Sequence, residues 1–450
     1  MNKEHIKSIV LTTLVIISLV LSYSLWSYQP AYDLIPKQDY VQNVSIGSKE
    51  DYNDIIVPYE LIYHTDGKHL VTNKEDEIYY LYRLLQKNQI TDMKNISNQI
   101  SEAAYENLTT ANDRLEYLFP ATVPIETLKR VLRVDTKRVD NISFDRIIID
   151  FSRVSHSIAN IYFVNNNLKL VYQGRIDIAS FQNSISKIDE SNDKFESYKG
   201  YKLVNGKTVY LPIKSKTLNT IEFLTTDVPV DKLKDAIFID PTNVRNENSE
   251  SGDTYTDGTR LMTVSQFNRS ITFVNPTSTG NSNENADSLI QRSVDFINGH
   301  GGWTDRYYLT DINLMNDQIG FRLFVNNLPV FTNATISTQW GRDDLSTFKR
   351  PLYKLGIKVD KEENSVNLLS GDDLMNLIDQ DKMINKSLIS GIFIGYETVY
   401  NNSDDTMPNQ FYRNSAIQLQ PVWVIKYDNS YKKVEQNLLS RTGVKIVGLE

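Results

Sequence analysis

A chain of 450 residues with five histidines and no cysteine offers few side chains able to do chemistry at neutral pH. His64 and His69 flank Asp66-Gly67 in the stretch PYELIYHTDGKHLVT. Asp-Gly between two apolar-aromatic runs predicts a two-residue hairpin turn, which sets the two histidines opposite each other on paired strands. Facing histidines can hold a metal, yet the local sequence supplies no third ligand and no open position. A structural pair is the preferred reading. His300 lies in FINGHGGWTDRYYL (296–309), one residue past a predicted helix end. A cation there favours the helix dipole, and Gly301-Gly302 lets the chain turn. Punctuation accounts for every residue of that stretch, whereas catalysis would need partners that are missing. Asp372-Asp373 and Asp404-Asp405 could supply the two acids of a glycosidase, but neighbouring acids in polar loops read as solvated. A G-x-S-x-G elbow, an H-E-x-x-H helix, a P-loop and a dinucleotide fingerprint are all lacking. The expectation is a protein that is not an enzyme and binds no cofactor or metal.

The elements around these residues predict an α+β protein. After the hairpin, Thr72 and Glu75 have capping-box spacing ahead of a helix with Ile78, Leu81, Leu84 and Leu85 on one face. A second helical region is expected from Met93 to Leu118. FDRIIIDF alternates as a strand, IYFVNNNLKLVY reads strand–turn–strand, and YKLVNGKTVYL brackets the turn Asn205-Gly206. Residues 241–258 are polar and turn-rich, and TSTGNSNEN (277–285) is the clearest linker. Beyond it a helix followed by antiparallel strands occurs twice. DSLIQRSVDFIN leads the first, and SGDDLMNLIDQDKMI, with Ser370 and Asp373 at capping-box spacing, leads the second. The predicted organisation is a cytoplasmic tail (1–7), an anchor (8–27), a tether (28–50) and an N-terminal α+β ectodomain (51–276). The linker (277–285) then leads to two similar helix-plus-antiparallel-sheet domains, 286–365 and 366–450.

The anchor expectation rests on SIVLTTLVIISLVLSYSLW (8–26), which carries no charge. Its length just covers a hydrocarbon layer of roughly 30 Å as a helix. It ends in bulky residues rather than a cleavage tripeptide, so it reads as uncleaved. Lys3 and Lys7 precede it, placing the N-terminus in the cytoplasm and the bulk of the chain outside the cell membrane as a single-pass protein. At about 100° per residue, Ser8, Thr12, Val15, Leu19, Ser22 and Trp26 share one arc. Small and hydroxylated residues on one side suit helix–helix packing in lipid, so this face is the candidate partner seam; a plain anchor is the alternative. The net charge of -8 gives no electrostatic footprint for nucleic acid, and 40% hydrophobic residues suffice for real cores.

Several short runs occur in order after this anchor: YTDGTRLMTV (255–264), SITFVNP (270–276), IGFRLFVNNLPVF (319–331), FKRPLY (348–353), IGYETVY (394–400) and LQPVWVIKY (419–427). In these the chain resembles the YycH (WalH) family, membrane-anchored regulators of the WalK–WalR cell-wall two-component system. The resemblance implies a three-domain outer part whose last two domains are alike. It also implies a complex with a YycI-like single-span membrane protein and with a WalK-like sensor histidine kinase, and no cofactor. An extracytoplasmic cell-wall or ligand-binding protein is the alternative, with the Tyr-rich segment 395–412 as the hint of an aromatic groove.

Overall fold

The computed structural model describes residues 3–27, 45–135, 142–188, 193–249, 252–266, 268–359, 364–381, 384–400, 416–428, 430–435 and 446–449. Two units result, 1–43 and 44–450. In the first, the expected anchor lies within one helix, Lys3–Ser27. Side chains are described there for Lys7 and for 11–22, all exposed, including Leu11, Leu14, Ile16 and Leu19. Among the described residues no helix is long and apolar enough to cross a membrane.

The second unit mixes helix and sheet and is dominated by antiparallel strands. Its first sheet has ten strands among the described residues, running from Glu60–Thr65 to Thr208–Pro212. The hairpin forms as expected, with Asp66 and Gly67 at φ 47° and 73° and His64 directly opposite His69. The helix Glu75–Lys87 buries Ile78, Leu81, Tyr82 and Leu85 against this sheet. Its start differs from the capping-box reading: Lys74 is the N-cap and makes no side-chain cap. Thr72 is held in the strand Lys68–Thr72 by its pairing with Leu61, so the helix begins later. Glu75, Asp76 and Glu77 in its first turn complement the dipole instead.

The helix expected over 93–118 is replaced by the strand Gln89–Asn95, the helix Glu102–Thr110 and the strand Arg114–Pro124. That last strand lies between Glu60–Thr65 and Ser143–Ser155 and is buried on both faces. Its apolar residues therefore do not alternate, and Leu115 and Leu118 pass for a helix stripe.

Among the described residues the C-terminal strands form two main sheets, joined into one fifteen-stranded path through the hairpin of Gln318–Val325 and Leu328–Phe331. Each is served by one of the predicted helices, Ala286–Gly299 capped by Asn285 and Gly371–Gln380 capped by Ser370. The domain boundaries expected at 277–285 and 365–366 are not where the sheets divide. Ser270–Val274, before the expected linker, pairs with Leu345–Pro351 beyond it. Ile221–Asp227, placed in the N-terminal ectodomain, pairs with Ala416–Tyr427 on one side and with Tyr353–Val359 on the other. Strand edges are matched by hydrogen bonding in space, not by sequence proximity, so a polar run is a loop signal and need not be a domain boundary. This loop is fastened: the Ser282 amide donates to Asp317 Oδ2 (2.6 Å) and Ser278 Oγ to the Asp344 carbonyl (2.6 Å).

Candidate functional site

Of the candidate partner face, Thr12, Val15, Leu19 and Ser22 are exposed on the helix Lys3–Ser27. Ser8 and Trp26 belong to the same helix, and their side chains lie outside the described residues. Among the side chains described there, Leu11, Leu14, Val15, Ile16, Ile17, Leu19, Val20 and Leu21 are apolar and exposed, interspersed with Thr12, Thr13, Ser18 and Ser22.

His64 and His69 meet, but as part of a longer line. Their Nδ1 atoms are 2.8 Å apart, and His64 Nε2 donates to Glu116 Oε2 at 3.2 Å. The Arg146 guanidinium donates to Glu116 Oε1 at 2.6 Å. The four side chains cross four adjacent strands, and Glu116 and His64 are fully buried. Burial alone would raise the Glu116 carboxyl, but Arg146 and His64 outweigh it and hold the group below the usual carboxylate range. Burial, and next to it His64, pushes the His69 ring down to about 4. A neutral imidazole, an ionised carboxylate and a guanidinium thus form a satisfied buried chain. Among the described residues no three ligating side chains gather for a metal.

His300 caps the helix Ala286–Gly299 but not as a cation. Its ring stacks on Phe296 at 3.9 Å, and Nδ1 lies 2.7 Å from the Phe296 carbonyl. Burial lowers its pKa below the ordinary value, so the charged-cap reading gives way to a neutral N–H donor. The following glycines have a further task. The Gly301 carbonyl accepts from the Ile46 and Gly47 amides (2.9 and 2.8 Å), and Ser48 pairs with Trp303 in an antiparallel bridge. Asn298 accepts the Glu50 amide at 3.0 Å, donates to the Glu50 carbonyl at 2.9 Å and receives Trp303 Nε1 at 2.8 Å. The end of the segment expected to be a tether is therefore locked onto the folded unit. Its mate lies some 250 residues on, beyond the reach of any local signal.

The acids of the Asp372-Asp373 pair are each engaged by neighbouring side chains. Asp372 accepts from Lys199 (2.7 Å) and from the Tyr201 hydroxyl (2.8 Å), while Asp373 receives the Ser370 hydroxyl. Asp404-Asp405 lies outside the described residues.

Where the first sheet meets the C-terminal sheets, a cleft encloses about 370 Å³. Arg146, Lys207 and Tyr210 line it from one side and Phe331, Phe393 and Trp423 from the other. The two sides touch at its margins, where Asn327 Nδ2 donates to the Tyr59 carbonyl (2.6 Å) and Asn205 Nδ2 to the Ile389 carbonyl (2.9 Å). Of the Tyr-rich segment 395–412, Tyr396 is buried and residues 401–412 lie outside the described ones.

Two family models cover nearly the whole chain: the YycH protein N-terminal domain over residues 4–197 and the YycH protein C-terminal domain over residues 206–443. The chain belongs to the YycH family. Its YycH relatives include the two-component system WalR/WalK regulatory protein YycH of Bacillus subtilis (strain 168). That protein is 24% identical over 460 residues, covering 98% of this chain and 99% of its own. The crystal structure of YycH from Bacillus subtilis superposes with a TM-score of 0.73 at 22% identity, over 87% of this chain and 99% of its own, so the YycH fold is shared. The YycH domain models also part between 197 and 206, close to where the first sheet ends at Pro212.

Proposed function

We propose that this chain is a non-enzymatic, membrane-anchored regulator that binds a YycI-like single-span companion and modulates a WalK-like sensor histidine kinase controlling cell-wall metabolism. The observation that carries the reading is end-to-end similarity to a protein whose name states regulation of WalR/WalK. The uncharged run 8–26 supports an anchor with the N-terminus inside and the bulk of the chain outside. Thr12, Val15, Leu19 and Ser22, with Ser8 and Trp26, supply the face for kinase or companion helices. Binding one signalling state of a kinase better than the other shifts its equilibrium only by that difference, typically ~1–3 kcal/mol, which a few helix contacts can supply.

Affinity isolation of the full-length protein from native membranes tests this, beside a version whose 8–26 is replaced by an unrelated apolar helix. Recovery of a sensor kinase and a second single-span protein, reduced by the replacement, is the expected result. Recovery of neither would overturn regulation through the membrane. The alternative, an extracytoplasmic ligand-binding protein, draws support from the cleft alone.

A further inference from the structure

Regulation through a membrane helix makes no use of the cleft between the sheets, yet the cleft has the size and the chemistry of a small-molecule site. Its volume, about 370 Å³, falls within the range of ligand pockets. Its far wall is apolar and aromatic: Phe331, Ile392 and Trp423 are buried, with Phe393 beside them. The charges around it nearly cancel in pairs. Arg146 is answered by Glu116 at 2.6 Å. Arg322, stacked against Phe331 and Tyr431 at 4.4 and 4.8 Å, is answered by Asp311 at 3.9 Å.

Four lining groups remain: Glu60, Asp145, Lys207 and Lys426. Burial, and next the Glu116 charge, pushes the Glu60 carboxyl up to about 8, so it is largely uncharged at neutral pH. Asp145 sets one negative charge against the two ammonium groups, with its carboxylate occupied by the Asn166 amide at 2.8 Å. Burial pushes the Lys207 ammonium down. Asp145 offsets part of that, and Lys426 and Arg146 add to it. Lys207, which reaches Asn167 Oδ1, and Lys426, 5.4 Å from the Tyr431 ring, come from opposite sides of the cleft and sense each other's charge. An anion placed between them would relieve that repulsion.

We propose that this cleft binds a small ring-bearing anion, a carboxylate or phosphate on a flat apolar body, with its charge between Lys207 and Lys426 and its ring against Phe393 and Ile392. Such a guest touches the first sheet and the C-terminal sheets at once, so its binding energy favours one spacing of the two sides. This site is independent of the membrane-helix reading and stands or falls without it.

The test is calorimetry on the full chain in phosphatidylcholine nanodiscs, with empty nanodiscs subtracted. The probes are phenyl phosphate and benzoate, with phenol as the uncharged control. Heat from either anion at millimolar concentration, none from phenol, and affinity lowered about tenfold or more by Lys426→Met is the expected result. Preference for one anion over the other assigns the phosphate or the carboxylate. Ser390→Trp, which fills the cleft from an outer position, is expected to abolish the heat while the unfolding midpoint holds, and it serves if Lys426→Met fails to fold. No heat from either anion, equal heat from phenol, or binding unchanged in both variants would overturn the proposal.

Discussion

Replacing Arg146 by Met removes the cation from a line of buried polar groups and leaves the Glu116 carboxylate facing only a histidine. Glu116 is fully buried and Arg146 nearly so, with 2.6 Å between the charged atoms. Taking away one partner of a buried pair typically costs about 3–5 kcal/mol, because the remaining charge keeps its desolvation penalty without its counter-ion. A second change, Glu116→Gln, removes that charge yet keeps an oxygen to accept His64 Nε2–H, so the acceptor role survives. The double variant is expected to be at least ~2 kcal/mol more stable than Arg146→Met alone, a coupling typical of groups in direct contact. The pH dependence has a definite sign. In the native protein the depressed Glu116 pKa contributes stability above the unfolded carboxyl value, and this is lost as pH falls through the folded value. In Arg146→Met the folded carboxyl rises above the unfolded value, so the deficit is largest at neutral pH and shrinks on acidification. Urea unfolding of the two variants and the native chain at pH 7 and pH 5, read by tryptophan emission, measures all of this. A loss under ~1 kcal/mol, or a double variant no better than the single one, would refute the reasoning.

Glu60→Gln mimics the protonated carboxyl that burial favours up to about pH 8. A carboxyl raised in the folded state loses stability as pH climbs from its unfolded value toward its folded one. The variant should therefore gain on the native chain at pH 8 and match it at pH 4.5; thermal unfolding at the two pH values reads the difference. Gly302→Ala forces a side chain into φ 78° with its Cβ 2.5 Å from the Ser48 carbonyl. Loss of the Ser48–Trp303 bridge should appear as faster amide exchange at both residues, and unchanged protection there would show that the segment is held by other means.

The hairpin carrying His64 and His69 was legible because its geometry is local: Asp66-Gly67 sets the turn, and the turn sets who faces whom. The helices Ala286–Gly299 and Gly371–Gln380 were legible for the same reason, their caps and apolar stripes lying within a dozen residues. The further partners of the two histidines were not. Glu116 and Arg146 join them from strands about 50 and 80 residues away, brought alongside only by sheet order. His300 was placed correctly at a helix end, but its charge was misjudged because burial against Phe296 is a tertiary fact.

The sequence by itself determined the uncharged run 8–26, the hairpin turn, the Ser370 cap and the family, all of which depend on residues in order along the chain. Only the tertiary structure decided which strands share an edge, where 45–50 is fastened, and what lines the cleft, whose walls draw on residues from Tyr59 to Tyr431. The physical reason is range. Backbone preference and helix periodicity act over a few residues, whereas pairing, burial and the electrostatics that follow depend on which surfaces meet once the chain has closed.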